Sequence, residues 1–186
     1  MKYGAIIIEN RLSINEIEEV AMKHFKHLSR SWDFRYIKTK VRSLEDYNRL
    51  LTSPVFWDNV KYEKVLIFQH DSELLRSGID DFLQYDYIGA PWKFQHHGGN
   101  GGLSLRTVEV MREITKKFPY NPGLGYEDVY FSNHIEKVGG KLAPREECSK
   151  FSCETIFQLG TLGAHAIDKY LTPEECNQIR SQYGNN

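Results

Sequence analysis

The segment that most constrains the fold is residues 65–73, Val-Leu-Ile-Phe-Gln-His-Asp-Ser-Glu. Four consecutive apolar residues predict a short strand covered on both faces, because a half-exposed strand alternates apolar and polar positions. The run stops abruptly in Gln69, His70, Asp71, Ser72 and Glu73. In an open α/β sheet that boundary is the carboxyl end of a strand, where ligands bind. Asp71 there either caps the next turn or offers a hard oxygen ligand to a divalent cation carrying phosphates.

The flanking pattern fits such a sheet. Residues 3–9 predict a first strand, with Ile6, Ile7 and Ile8 at its heart and Glu9 and Asn10 at its carboxyl end. Ser13 and Glu16 stand in capping-box spacing before a helix. Its apolar face is Ile14, Ile17, Val20, Ala21, Phe25 and Leu28. A second strand over 32–37 and a helix over 43–51, ending before Pro54, complete strand–helix–strand–helix–strand. That order predicts an α/β, Rossmann-like fold: a mostly parallel sheet with helices on both faces.

After Glu73 the pattern changes. A short helix is expected over 78–85, a short strand over 87–90, a loop over 96–102 and a strand over 103–105. A helix over 107–118 should bury Val108, Met111, Ile114 and Phe118. A loop over 119–125 leads to a helix over 127–138, ended by Gly139 and Gly140. A strand is expected over 153–157 and a small-residue loop around His165. Thr172, Pro173 and Glu175 open a last helix.

Composition narrows the function classes. A length of 186 residues fits one domain. A net charge of -1 supplies no polybasic field, which argues against nucleic acid as a partner. Three cysteines with no CxxC pair argue against a disulfide framework or a structural zinc, and for a reducing, cytoplasmic setting. No apolar stretch reaches the length of a membrane span.

Three further clusters carry chemistry. Gly101 and Gly102, in Gly-Asn-Gly-Gly-Leu-Ser-Leu-Arg (99–106), make either a tight turn or a place where a backbone or ligand comes close. Glu127 and Asp128, after Gly-Leu-Gly-Tyr, are either simple dipole-stabilising carboxylates or a general base and its loop partner. Adjacent helix positions diverge, so one should enter the site while the other holds the loop. His165 is either a hydrogen-bonded loop residue or a metal ligand. Arg106 suits a phosphate or carboxylate contact and equally a structural ion pair. Trp92 could stack on a sugar or pack in the core.

In this order the pieces resemble the GT-A class of nucleotide-sugar glycosyltransferases. Residues 65–72 overlay its Asp-x-Asp strand end, with Gln69 in the first acidic position and Asp71 in the second. Residues 101–104 resemble its Gly-Gly segment, and residues 123–128 its Gly-rich Glu-Asp motif, as in inverting β-1,4-galactosyltransferases. Phe-Gln-His-Asp (68–71), Tyr-Ile-Gly-Ala-Pro-Trp (87–92), residues 99–106 and Glu-Asp-Val-Tyr (127–130) are similar to an uncharacterised domain family grouped with glycosyltransferases, and to compact chlorella-virus glycosyltransferases. The resemblance spans about residues 60–170.

It implies one GT-A-like domain: a nucleotide-binding half to about residue 75, a donor-sugar and acceptor half to about 170, and a C-terminal helix. It implies Mn²⁺ or Mg²⁺ on Asp71 and His165, Asp128 as base and Glu127 as acceptor or loop contact. The nucleotide-sugar donor, a UDP-sugar by preference, would meet Ile8, Glu9, Asn10, Lys38, Gln69, His70, Asp71, Gly101, Gly102 and Arg106. A hexosyl or deoxyhexosyl group would pass to a hydroxyl acceptor with inversion. Gln69 departs from the acidic pattern and favours, as alternative, a nucleotide-sugar-binding module without strong catalysis. A nucleotidyltransferase ranks lower, since no Gly-rich basic loop follows the first strand.

Overall fold

The computed structural model describes residues 2–9, 11–37 and 41–183. Its frame is a five-stranded sheet in the order β2-β1-β3-β6-β5, formed by β1 (Tyr3–Ile8), β2 (Trp32–Ile37), β3 (Lys64–Phe68), β5 (Tyr87–Ile88) and β6 (Leu103–Thr107). β1 pairs in parallel with β2 and β3, while β6 runs antiparallel to both β3 and β5. Four of the five strands therefore share one direction, the mostly parallel sheet that the strand–helix alternation requires.

Alternation along β1 and β3 feeds two cores. Ala5, Ile7, Leu66 and Phe68 point to one face, where α1 (Ile14–Phe25) and α6 (Arg145–Phe151) cover them. Ile6, Ile8, Val65 and Ile67 point to the other, under α2 (Leu44–Leu51), α3 (Pro54–Asn59), α4 (Val108–Lys117) and α5 (Glu127–His134). Both faces being covered explains why these strands carry no polar alternation. A second sheet, β4-β8-β7, joins β4 (Ser72–Leu74), β8 (Gly163–His165) and β7 (Ser152–Cys153). α7 (Ile167–Tyr170) and α8 (Pro173–Ser181) follow it, and Cys176 and Ile179 of α8 pack on Cys153 and Ala164.

Local signals act as the chemistry predicts at the caps. Ser13 with Glu16 and Thr172 with Glu175 both form capping boxes. Gly139, at φ 76°, ends the segment after α5, whose last turn (Glu136–Val138) tightens to a 3₁₀ form. Elsewhere the structure corrects the sequence. Ile14 is exposed and His24 takes the inward place on α1. The expected strand over 153–157 shrinks to the two residues of β7, Ser152–Cys153, because the chain bends over 154–156 and leaves the ladder with β8. His165 lies in a strand, not a loop, since it pairs with Ser72 across β4 and β8. The 78–85 helix reduces to a single 3₁₀ turn, Ile79–Phe82. Trp92 is buried, so packing is its role. Among the described residues no helix is long and apolar enough to cross a membrane.

His24 ties α1 to the strand end that the rest depends on. Its ring stacks on Phe68 with centroids 4.1 Å apart, and its nitrogens meet the Val20 carbonyl at 2.9 Å and the Ser72 hydroxyl at 3.2 Å. Burial pushes its pKa down from 6.5 to about 4. The unfolded chain takes up this proton near pH 6.5 while the folded chain refuses it, so stability present above that pH is lost as pH falls toward 4. The loss is on the order of 3 kcal/mol. His24→Gln cannot titrate and should flatten the decline of the urea midpoint between pH 6.5 and 4; an undiminished decline would place that acid sensitivity elsewhere.

Candidate functional site

Strand register assembles the site. Phe68 pairs with Leu103, so the carboxyl end of β3 meets the amino end of β6, and the Gln69 N–H donates to the Gly102 carbonyl at 2.8 Å. The β4–β8 pairing sets His165 opposite Ser72, which brings the imidazole against Asp71, with Nε2 to Oδ1 at 3.3 Å. Cys153 is in register with Ala164, so the next residue, Glu154, reaches His165 Nδ1 at 3.1 Å. Gln69 Oε1 lies 3.2 Å from the same Nε2.

His165 is thus held between acceptors. Burial alone would lower its pKa, but hydrogen bonds to Asp71 and Glu154 outweigh burial and raise it to about 9. Glu154 fixes the ring through Nδ1, the arrangement that orients metal-bound histidines. Asp71 Oδ1 and Gln69 Oε1 both approach Nε2. Cis ligands of an octahedral Mg²⁺ site lie about 3 Å apart, close to the 3.2 and 3.3 Å found around Nε2. Without a cation Nε2 carries the proton that these oxygens accept, so a divalent cation would have to displace it. Once it is lost, one nitrogen and two oxygens make a donor set that suits a divalent cation also drawing ligands from solvent or substrate. Among the described residues, no three His, Cys, Asp or Glu side chains group closely enough to hold a metal by themselves.

The Gly-Gly segment yields space to this chain's own side chains. A Cβ on Gly102 would come within 2.1 Å of the His165 ring, and one on Gly101 within 2.1 Å of Glu127 Oε1. Glu127 in turn is gripped by Arg106, at 2.6 Å from Nη1 and 2.9 Å from Nη2. Ser104 Oγ accepts from Arg106 Nε at 2.9 Å, and the guanidinium lies 5.0 and 5.3 Å from the ring centroids of Tyr87 and Phe131. Arg106 is wholly buried. Its charge answers a carboxylate of this chain, so the expected donor contact gives way to the structural ion pair.

The two acidic neighbours diverge as adjacent helix positions must. The Asp128 carboxylate accepts from the backbone N–H groups of Gly101 (3.1 Å) and Val129 (2.8 Å). Burial first, and the Glu127 charge second, raise its pKa to about 7. Asn48 of α2 accepts from the Glu127 N–H at 3.0 Å and anchors this helix start.

Two adjoining cavities meet at Tyr47, Gln69 and Asp71. The larger, of about 620 Å³, is bordered by Ile8, Glu9 and His70, with Arg11 and Arg42. Glu9 is buried and takes a bidentate pair from Arg11, with His70 Nδ1 at 3.2 Å. The smaller, of about 210 Å³, is bordered by Gly101, Gly102, Asp128, Glu154 and His165, with Tyr126 and Tyr170. Asn10 and Lys38 lie outside the described residues. Sequence reasoning missed Tyr47, Glu154 and Lys169, each of which borders the smaller cavity. Only strand register exposes Glu154, and Lys169 stands four residues past His165 with no motif around it.

The family model described as "Protein of unknown function (DUF5672)" matches residues 31–165. The chain belongs to that family. No curated protein matches the sequence. Among solved structures, this DUF5672 chain is similar to a glycosyltransferase involved in the glycosylation of the major capsid of PBCV-1. The identity is 12% and the TM-score 0.55, over 96% of this chain and 98% of that one. It is also similar to Drosophila beta-1,4-galactosyltransferase 7 in complex with manganese, UDP-Gal and xylobiose (14% identity, TM-score 0.48, 76% of this chain and 63% of that one). The apo glycosyltransferase GlyE of Streptococcus pneumoniae matches at 13% identity and TM-score 0.46, over 76% of this chain and 44% of its own. The DUF5672 chain thus spans less than half of GlyE. The fold is the GT-A fold of glycosyltransferases.

Two expectations follow from the buried charges. Arg106→Met strands the Glu127 carboxylate and should cost about 3–5 kcal/mol in urea denaturation, most of which Glu127→Leu in the same chain should restore. Asp128 favours its protonated form in the folded state, so its contribution to stability is complete below pH 3.8 and is lost as pH rises through about 7. Asp128→Asn gives up one of the two acceptor oxygens at every pH, so the test is the difference: relative to wild type, its melting temperature should be higher at pH 8 than at pH 3. The gain is at most about 4 kcal/mol; equal effects at both pH values would refute the buried-charge account.

Proposed function

We propose that this DUF5672 chain is a metal-dependent glycosyltransferase that moves a sugar from a nucleoside diphosphate donor, a UDP-sugar by preference, to a hydroxyl acceptor with inversion. The observation that carries this reading is a single cavity that contains both the Gln69–Asp71–His165 convergence and the buried Asp128. One group of residues suits a phosphate-bound cation, and the other suits a proton acceptor at neutral pH.

In this reading the larger cavity takes the nucleoside, against the ends of β1 and β3, where open α/β sheets bind ligands. Asp71 and His165, with the Gln69 amide, would hold Mn²⁺ or Mg²⁺, which when bound offsets the charge of the leaving diphosphate. Glu154 keeps the His165 ring oriented. Asp128 accepts the proton of the acceptor hydroxyl as that oxygen attacks the anomeric carbon from the face opposite the diphosphate, which inverts the centre. A pKa near the working pH is what a general base needs. Glu127, tied to Arg106, holds the loop that presents Asp128. Gln69 in place of an acidic residue supports a second reading, a nucleotide-sugar-binding module that binds without turnover.

The test is a thermal-shift screen of nucleoside diphosphates and nucleotide sugars with and without Mn²⁺. Ligand at a hundredfold its Kd stabilises by about 2.7 kcal/mol, roughly 5–10 °C for a chain of this size. A shift that needs Mn²⁺ and disappears in Asp71→Ala is the expected result. Sugar transfer or donor hydrolysis by the wild type, abolished in Asp128→Asn, then separates the enzyme from the binding module. No shift with any nucleotide at about 5 mM, a concentration that detects even weak sites, would sink the donor-site reading.

A further inference from the structure

In the donor reading one divalent cation faces both a diphosphate and the carboxylates around it. A diphosphate would enter a cavity already bordered by Asp71, Glu127, Asp128 and Glu154. Arg106, the cation that the sequence offered, is consumed by Glu127. Among the described residues that border this cavity, Lys169 is the one lysine or arginine. Resting on the donor-site reading above, we propose that Lys169 binds the diphosphate of the donor.

The backbone delivers it there. Ala166, directly after His165, adopts φ 51° and ψ 26°, the one non-glycine left-handed residue among those described. That conformation is strained for an L-residue and is kept only where the surroundings enforce it. It turns the chain from β8 into α7, so that His165, Ala166, Lys169 and Tyr170 all border one cavity. Its N–H donates to the Asp71 carbonyl at 2.9 Å, which locks the turn to the strand end that bears the cation ligands.

The neighbouring charge is drawn away. Asp168, the adjacent position of α7, points away from Lys169 and is held by Arg180 of α8, with Nη1 to Oδ1 at 2.8 Å and Nη2 to Oδ2 at 2.5 Å. Arg180 Nε also reaches Glu73 at 2.9 Å, pinning α7 and α8 to β4. The Lys169 ammonium rests 4.9 Å from the Tyr170 ring centroid. Tyr170 foremost, with Asp71 and Glu154 at longer range, favours its charged form. A cation over one exposed ring is weakly held, whereas a phosphate oxygen offers charge-assisted hydrogen bonds. A flexible stem ending in a compact charge can move from the ring to the phosphate.

The experiment titrates the full chain, in Mn²⁺, with UDP by calorimetry and with uridine by ligand-observed NMR. Wild type, Lys169→Met and Lys169→Arg are compared. Lys169→Met should weaken UDP by about tenfold or more, the scale of one lost charge-assisted contact. Uridine binding should stay unchanged, and Lys169→Arg should keep most of the UDP affinity. Undiminished UDP binding by Lys169→Met, or equal losses for UDP and uridine, overturns the role of Lys169. A wild type that binds none of UDP, GDP or TDP overturns the donor-site reading itself, so the two failures are distinct. Where GDP or TDP is the diphosphate bound, its own nucleoside replaces uridine.

Discussion

The buried ion pair between Arg106 and Glu127 is the constraint from which the site follows. Two charges withdrawn from water are tolerable only with near-ideal geometry and with their remaining hydrogen-bonding groups satisfied. Here the fork meets the carboxylate bidentately, Ser104 takes the Nε proton, and two aromatic rings flank the guanidinium. The pair joins the antiparallel strand β6 to the start of α5, so the helix cannot rotate without breaking it. Gly101 must lack a side chain because Glu127 occupies that space. Asp128 then has one direction left, toward the Gly101 N–H and the cavity. The Glu127 charge also adds to burial in lifting the Asp128 pKa. One interaction sets both the geometry and the electrostatics of the candidate base.

The other half of the site is a product of strand pairing. Asp71 and His165 are far apart in sequence, and no helix periodicity or motif joins them. They meet because β4 and β8 pair antiparallel immediately beyond β3, and Glu154 joins because β7 lies parallel on the far side of β8. The small second sheet, only three strands wide, therefore gathers the candidate cation ligands, while the ends of β1 and β3 in the large sheet border the larger cavity. Ala166 and Arg180 complete the arrangement by fixing α7, whose Lys169 and Tyr170 border the smaller cavity.

The large sheet was legible because its signals are local and strong. The apolar runs at 6–8 and 65–68, the Ser13–Glu16 box and the Thr172–Pro173 start each report on a few adjacent residues, and each appears where its chemistry requires. The second sheet was not legible. Two- and three-residue strands carry too few positions for alternation to register, so the pattern predicts a longer strand than β7 and a loop where His165 lies in β8. Arg106 illustrates a different limit. Its place on β6 is readable, but whether its charge faces a ligand or Glu127 depends on the helix packed above it. Glu154 and Lys169 sit in segments without motifs, and only register and the left-handed turn at Ala166 bring them to the cavity.

A fold shared at 12% identity says little about chemistry, because one architecture hosts many activities. What separates the enzyme reading from a bare scaffold is the cost of Asp128. Its hydrogen bonds come from two backbone N–H groups, and its ionisation is opposed both by burial and by Glu127. A chain under selection for stability alone would gain from an uncharged residue at that position. A carboxylate in a cleft whose pKa is raised by burial and by a named neighbouring charge is a candidate for chemistry. The same holds for the strained Ala166, which a plain connection between strand and helix would not need. Both features border the same cavity, and that coincidence favours a reacting site over a fold that merely resembles one.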